Sequence, residues 1–303
     1  MSVAQPTSPL PKLERFLSSP RHNPTALRLI LAAQLRRLRL AAALSPIAAG
    51  DVLRCSESKI SRLERGEVQL KERDVADLLR LYGADTQEAE EFLSLVRRSN
   101  QSGWWHQFED VLPKWFDKFI GLQEAASVIR TYEVLLVPGL LQTPEYARAV
   151  AAAGSQLAQD RKVVDRRVEL RLARQELLDY PDAPTLWVVL EENVLHRQVA
   201  ERQVMYGQLR HLAEMAQRPN IRVQVIPLAA PECVTSGFPI THLRFDPPEL
   251  PEIVYLEHIR DALYLDKAEE TEQYRSILDG LLNSAECPAA SLQRIQDSAK
   301  RYH

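Results

Sequence analysis

The side chains most suited to chemistry lie in the short segment 56–66, which reads SESKISRLERG. Hydroxyl, carboxylate and cationic groups surround two apolar residues, Ile60 and Leu63, which are three positions apart. On a helix this spacing puts both apolar residues on one face and leaves the polar groups on the other. Such a polar face can donate and accept hydrogen bonds along the surface of a polyanion.

Other residue types that could support catalysis or bind a metal are scattered along the chain. The seven histidines form no His-x-x-x-His pair, and the three cysteines, Cys55, Cys233 and Cys287, are far apart. The sequence contains no Gly-x-Gly-x-x-Gly, Gly-Lys-Ser/Thr or Gly-x-Ser-x-Gly pattern. We therefore predict that the protein is not an enzyme and has no catalytic residues, no metal and no cofactor.

Charge is unevenly distributed along the chain. The 303 residues carry a formal net charge of −3, but residues 28–73 hold ten Lys/Arg against five Asp/Glu. A basic region on an otherwise acidic chain is typical of a protein that binds a polyanion through that region. No signal peptide and no run of 18 apolar residues is present, which predicts a cytoplasmic protein with no membrane partner.

Helical patterns surround the polar segment. Leu31, Leu35 and Leu38 recur at helical spacing, Ser45-Pro46 is a strong helix start, and Ser56 is a second N-cap. Two further short helices are predicted at about 72–82 and 86–98. Two helices joined by a very short turn, at 45–53 and 56–65, form a helix-turn-helix whose second helix can enter the major groove of DNA.

The whole chain divides into four predicted regions. Residues 1–26 are a disordered Pro-rich tail, and 27–99 form a five-helix, phage-repressor-like bundle containing the helix-turn-helix. Residues 100–120 form an aromatic linker helix. Residues 121–303 alternate helices and β-branched strands, which predicts a regulatory or partner-binding α+β domain with a mainly antiparallel sheet.

Longer strings of residues carry a family resemblance. Residues 35–39 (LRRLR) and 56–66 resemble the xenobiotic-response-element (XRE) helix-turn-helix family, while 129–133 (IRTYE), 137–143 (VPGLLQT) and 262–266 (ALYLD) are similar to actinobacterial WhiJ-type, antitoxin-like regulators. The resemblance extends from about Leu31 to Ser298. It implies a DNA-binding head joined to a domain of poorly defined role, in proteins often encoded beside a very small partner protein.

The resemblance also implies roles for individual residues. The residues expected to contact bases are Ser56, Glu57, Ser58 and Arg62, and those expected to contact phosphates are Ser45, Arg54, Lys59, Ser61 and Arg65. Glu64 is expected to form a structural ion pair with Arg39. Two positions depart from the family: Pro46 replaces a glutamine that binds phosphate, and Arg54 replaces the glycine of the turn, where it either supplies a phosphate contact or strains the backbone.

One DNA-binding head covers only a few base pairs, which is too few to define a specific site. We therefore predict a homodimer on a pseudo-palindromic operator with half-sites ~10 bp apart. For the C-terminal domain two hypotheses remain: it binds a small protein partner, or it binds a small-molecule metabolite. Within it, residues 137–143 are expected to form a loop with exposed apolar side chains, and Arg167, Arg171 and Arg174 share one helix face, either solvated or facing an anionic partner.

Overall fold

The computed structural model describes residues 23–153, 160–230, 237–246 and 250–303, and the chain divides into two compact units. One unit contains the residues up to His106 together with 246–250, and the other contains 107–245 and 251–303. Most of the predicted disordered tail, residues 1–22, lies outside the described residues. Pro24–Ala26, also assigned to that tail, form the first turn of a helix.

The first unit contains the predicted helical bundle. Its helices are α1 (Pro24–Ala41), α2 (Pro46–Leu53), α3 (Glu57–Glu64), α4 (Glu72–Leu81) and α5 (Thr86–Ser99). Side-chain oxygens of Asn23, Ser45, Ser56 and Asp85 accept hydrogen bonds from the first turns of α1, α2, α3 and α5, so short polar residues set where these helices begin. Their apolar faces meet in a core that includes Leu31, Leu35, Ile60, Leu63, Leu78 and Phe92.

The turn between α2 and α3 depends on an unusual backbone conformation. Arg54 is left-handed, with φ 52° and ψ 47°, a conformation that favours glycine. Gly50 faces the same turn, because a Cβ atom there would lie 2.6 Å from the carbonyl oxygen of Cys55. The backbone N–H of Cys55 donates to the carbonyl of Gly50 over 2.9 Å, which closes the turn.

The predicted linker helix at 100–120 differs in the structure. A 3-10 helix spans Trp104–Phe108, and a separate helix, α6 (Lys114–Ala125), follows it. Pro113 is the N-cap of α6. A proline has no N–H to donate inside a helix, so the aromatic segment is divided there into two elements.

The second unit is an α+β domain, as predicted. After α6 its elements are β1 (Val128–Glu133), α7 (Pro144–Ala153), α8 (Arg161–Gln175), β2 (Thr185–Glu191), α9 (Asn193–His196), α10 (Arg202–Met215), β3 (Ile221–Ile226), β4 (Ile240–Arg244), β5 (Ile253–Glu257), β6 (Ala262–Leu265), α11 (Ala268–Ser284) and α12 (Pro288–Lys300). The strands form one six-stranded sheet in the order β3-β2-β1-β4-β5-β6. The sheet is mixed: β1, β2 and β3 run parallel, and the other three pairings are antiparallel.

The two faces of this sheet differ in chemistry. On one face Tyr132, Val189, Ile240 and Val254 pack in an apolar core with Leu278 and Leu281 of α11. The intervening side chains along each strand lie on the other face. That face carries polar groups, among them Thr131, Glu133 and Thr241. None of the described helices is long and apolar enough to cross a membrane.

Candidate nucleic-acid interface

Helix α3 is held in the bundle by one face only. Ile60 is 0% exposed and Leu63 is 1% exposed, whereas Glu57, Ser58 and Arg62 are exposed. The Oγ of Ser56 accepts a hydrogen bond from the N–H of Lys59 over 3.3 Å and fixes the start of the helix. The first turn of α3 and its outer face are therefore available to a groove, which is the arrangement that a recognition helix requires.

A buried ion pair sets the position of α3 relative to α1. The Nε and Nη2 atoms of Arg39 donate to the two carboxylate oxygens of Glu64 over 2.6 and 2.8 Å, and Nη1 donates to the carbonyl of Leu44 over 2.7 Å. These hydrogen bonds to Glu64 raise the pKa of Arg39 above its ordinary value. Both side chains are almost fully buried, so the guanidinium ties α1, α3 and the segment before α2 together.

The residues predicted to contact bases lie together on the exposed side of α3. Ser56, Glu57 and Ser58 form its first turn, and Arg62 follows one turn later on the same outward side. Among the described residues, Arg62 forms no ion pair. Its guanidinium is thus available for a bidentate hydrogen bond to guanine O6 and N7.

Two of the cations predicted to contact phosphates are already paired. Lys59 Nζ lies 3.4 Å from Asp74 Oδ2, and the guanidinium of Arg65 donates to both carboxylate oxygens of Glu67, over 2.6 and 3.2 Å. A phosphate contact by either residue requires these pairs to open or to share the cation. Since both are partly exposed pairs, we expect the exchange to cost little.

The other three predicted phosphate contacts differ in exposure. Ser45 is exposed, and its Oγ accepts from the N–H of Ala48 over 3.2 Å, which leaves its hydroxyl proton available for donation to a phosphate. Arg54 is exposed in the turn, whereas Ser61 is partly buried on α3. The left-handed backbone of Arg54 corresponds to the strain that the missing glycine predicts.

In the second unit, one expectation about surfaces is wrong. Val137, Leu140 and Leu141 are buried, so the loop 137–143 does not present apolar side chains to solvent. Arg171 and Arg174 of α8 line a partly open cavity and Arg167 is partly buried, so the three do not form a fully solvated face, and an anionic partner stays a prediction. Ile129, Thr131 and Glu133, at every second position of β1, line the same cavity.

Models of two known domain families match the chain, one in each unit. A helix-turn-helix domain model matches residues 30–92, and a model described as a domain of unknown function, DUF5753, matches residues 116–297. No curated protein and no solved structure shows a significant match to the chain.

Proposed function

This chain belongs to the DUF5753 family and carries a helix-turn-helix domain before that region, and from this premise we propose that it is a sequence-specific, DNA-binding transcriptional regulator of the XRE type. The observation that carries the proposal is the exposed outer face of α3. Ile60, Leu63 and the Arg39–Glu64 pair hold the helix from behind, and Arg62 points outward with no ion-pair partner among the described residues.

We further propose that the regulator acts in the cytoplasm as a homodimer on a pseudo-palindromic operator in double-stranded DNA. One recognition helix reads too few base pairs to define a unique site, and a two-fold pair doubles the contacts. The residues proposed to read bases are Ser56, Glu57, Ser58 and Arg62.

We propose two alternative functions for the C-terminal domain. In the first, the domain is antitoxin-like and a small protein partner, encoded nearby, changes the affinity of the head for its operator. In the second, a small molecule does so. A partly open cavity of about 370 Å³ within this domain supports the second, because pockets that bind small molecules have volumes of this order.

The test of DNA recognition uses the full-length protein and a random double-stranded library at ~50 mM salt, where phosphate contacts are strongest. We expect enrichment of a defined sequence. The double variant Ser58→Ala/Arg62→Ala should lose preference for the enriched sequence, whereas the control Arg161→Ala/Lys162→Ala, at the exposed start of α8, should keep it. If wild type enriches no sequence, or if both double variants lose preference equally, the proposal is wrong.

A further inference from the structure

A cavity of about 370 Å³ lies within the second unit, against the polar face of the sheet. The sheet contributes Thr131 and Glu133 from β1, Thr241 from β4, and Tyr255 and Glu257 from β5. The opposite walls are α6, the loop 136–142 and α8. The cavity thus has a polar floor and walls from three separate segments.

Two arginines of α8 line the cavity, and among the described residues neither forms an ion pair with a carboxylate. Arg174 is 8% exposed, and its Nε and Nη2 donate to Gln123 Oε1 over 3.3 and 2.7 Å, while Arg171 Nη1 donates to Gln142 Oε1. These acceptors are neutral amides. Desolvation lowers the pKa of Arg174 to about 10, and the neighbouring charge of Arg171 contributes to the same shift. Two guanidinium groups side by side favour an anion between them.

Gly139 lies beside both guanidinium groups. A Cβ atom at this position would lie 3.8 Å from Arg174 Nη1 and 3.9 Å from Arg171 Nε, so a side chain here would begin within contact distance of both cations. The main chain here comes close to both cations, and the missing side chain leaves room for another group.

The two acids of the cavity, Glu133 and Glu257, offset the charge of the two arginines only in part at neutral pH. Burial raises the pKa of Glu133 to about 8, against a hydrogen bond from Thr131 Oγ1 over 3.1 Å, so this carboxyl is mostly protonated at pH 7. Glu257 is exposed and accepts a hydrogen bond from Tyr255 over 3.0 Å. The interior therefore has a positive balance of charge.

The remaining wall is aromatic. Phe119 stacks on Tyr255 with ring centroids 4.0 Å apart, and the guanidinium of Arg174 lies 4.6 Å from the centroid of Phe116. Planar apolar groups are therefore adjacent to the cations. A ligand that suits this arrangement has a negative group at one end and a flat apolar body.

We propose that this cavity binds a small organic carboxylate with an aromatic body, whose anionic group lies between Arg171 and Arg174 beside Gly139. The inference deepens the proposed function, in which such a ligand is the effector of the regulator. Binding in the cavity itself does not require that the head bind DNA.

The experiment measures thermal unfolding of the full-length protein with benzoate, phenylacetate, inorganic phosphate or uncharged benzamide. At a concentration of ~10 times Kd we expect either aromatic carboxylate to raise Tm by about 2–4 °C, and benzamide and phosphate to do less. Arg171→Gln, which keeps a side chain able to hydrogen-bond Gln142, should lose most of the shift. Arg161→Gln, at the exposed start of the same helix, should retain it.

Gly139→Ala provides a second variant, because it removes no charge and its added methyl group would be in ordinary contact with both cations. We expect it to fold and to weaken benzoate binding at least ~5-fold in titration calorimetry, since the methyl occupies part of the anion's space. The proposal is overturned if neither aromatic carboxylate exceeds benzamide in wild type, or if both Arg171→Gln and Gly139→Ala respond like wild type. If phosphate is the only anion that raises Tm more than benzamide does, the ligand is not an aromatic carboxylate.

Operator binding is measured on the same preparations without any added carboxylate. A protein that selects a DNA sequence but ignores the carboxylates contradicts only the cavity inference. A protein that binds benzoate but enriches no DNA sequence contradicts only the proposed function.

Discussion

The buried Arg39–Glu64 pair should contribute strongly to the free energy of unfolding. Its two charges are shielded from water and satisfy each other with two hydrogen bonds. Arg39→Ala leaves the carboxylate of Glu64 buried and unpaired, so we expect a loss of about 3–5 kcal/mol in the free energy of unfolding. Chemical denaturation measures it. A variant as stable as wild type would mean that the pair does not hold α1 and α3 together.

Arg54 combines a strained backbone with a proposed phosphate contact. Because its φ is 52°, Arg54→Gly should relieve the strain and stabilise the protein by about 1 kcal/mol, whereas Arg54→Ala should not. Both variants lack the guanidinium, so both should bind operator DNA more weakly and by the same factor. Denaturation and anisotropy titration separate the two effects. Wild-type DNA affinity in both variants would rule out a phosphate contact by Arg54.

Glu133 should make stability depend on pH. Burial raises the pKa of this carboxyl from 4.5 to about 8, and the charge of Glu257 on β5 adds to the rise, whereas the hydrogen bond from Thr131 and the charge of Arg171 on α8 oppose it. A raised carboxyl pKa contributes stability that is complete below about pH 4.5 and is lost as the pH rises to about 8. Glu133→Gln avoids this loss. We expect it to exceed wild type by at least ~1 kcal/mol at pH 8 and to match it at pH 4.

The control for this prediction is Glu109→Gln, because Glu109 is exposed and does not line the cavity. Its stability should follow the wild-type pH profile. Denaturation curves of the three proteins from pH 4 to pH 9 provide the comparison, and parallel profiles for Glu133→Gln and wild type would show that Glu133 ionises at its ordinary pKa.

Among the elements, periodicity and N-caps predicted the bundle helices, because Leu31 and Leu35 recur at helical spacing and Ser45 and Ser56 mark helix starts. The aromatic segment 100–120 was not predicted correctly, since it contains two separate elements on either side of 109–113. Helix α3 was readable for the same reason, with its N-cap and its apolar stripe.

The cavity could not be predicted in this way. Arg171 and Arg174 have acids beside them in sequence, a pattern that usually indicates a solvated helix face. Only the tertiary arrangement turns that face toward the strand residues Thr131 and Glu133, and it leaves Arg166 to form the ion pairs with Asp110 and Glu169. Distant segments determine such a site, and their packing has no periodic signal in the sequence.

We expect the residues of α3 to make two kinds of contact with DNA, to bases and to phosphates. Arg62→Ala removes a base contact worth ~1–3 kcal/mol and should relax preference at one operator position. Lys59→Ala and Arg65→Ala should weaken binding to all sequences alike and reduce the salt slope by about 1 each. Because Lys59 and Arg65 already pair with Asp74 and Glu67, their losses should be smaller than those of an unpaired cation.

Titrations of operator and random DNA over a range of salt concentrations distinguish these cases. A matched loss on both DNAs for Arg62→Ala would make Arg62 a phosphate contact. Loss of sequence preference in Lys59→Ala would show that Lys59 contacts a base and not only a phosphate.

Over the whole molecule, basic residues are concentrated in the helical unit. The region 28–73 has twice as many basic as acidic residues, while the chain as a whole has a net charge of −3. The acidic remainder repels phosphates, which favours a complex in which only the helical unit approaches the duplex. Sequence selectivity then depends on how many helical units one complex brings to the DNA.

The spacing of half-sites tests the proposed homodimer. Two recognition helices related by a two-fold axis enter successive major grooves on one side of the duplex, so the half-site centres should lie ~10 bp apart. Inserting ~5 bp turns one half-site to the opposite side and should reduce affinity by at least ~10-fold, whereas ~10 bp restores the side and part of the affinity. Anisotropy titrations with the full-length protein measure this. Equal affinity for all three spacings and for a single half-site would show that one copy binds alone.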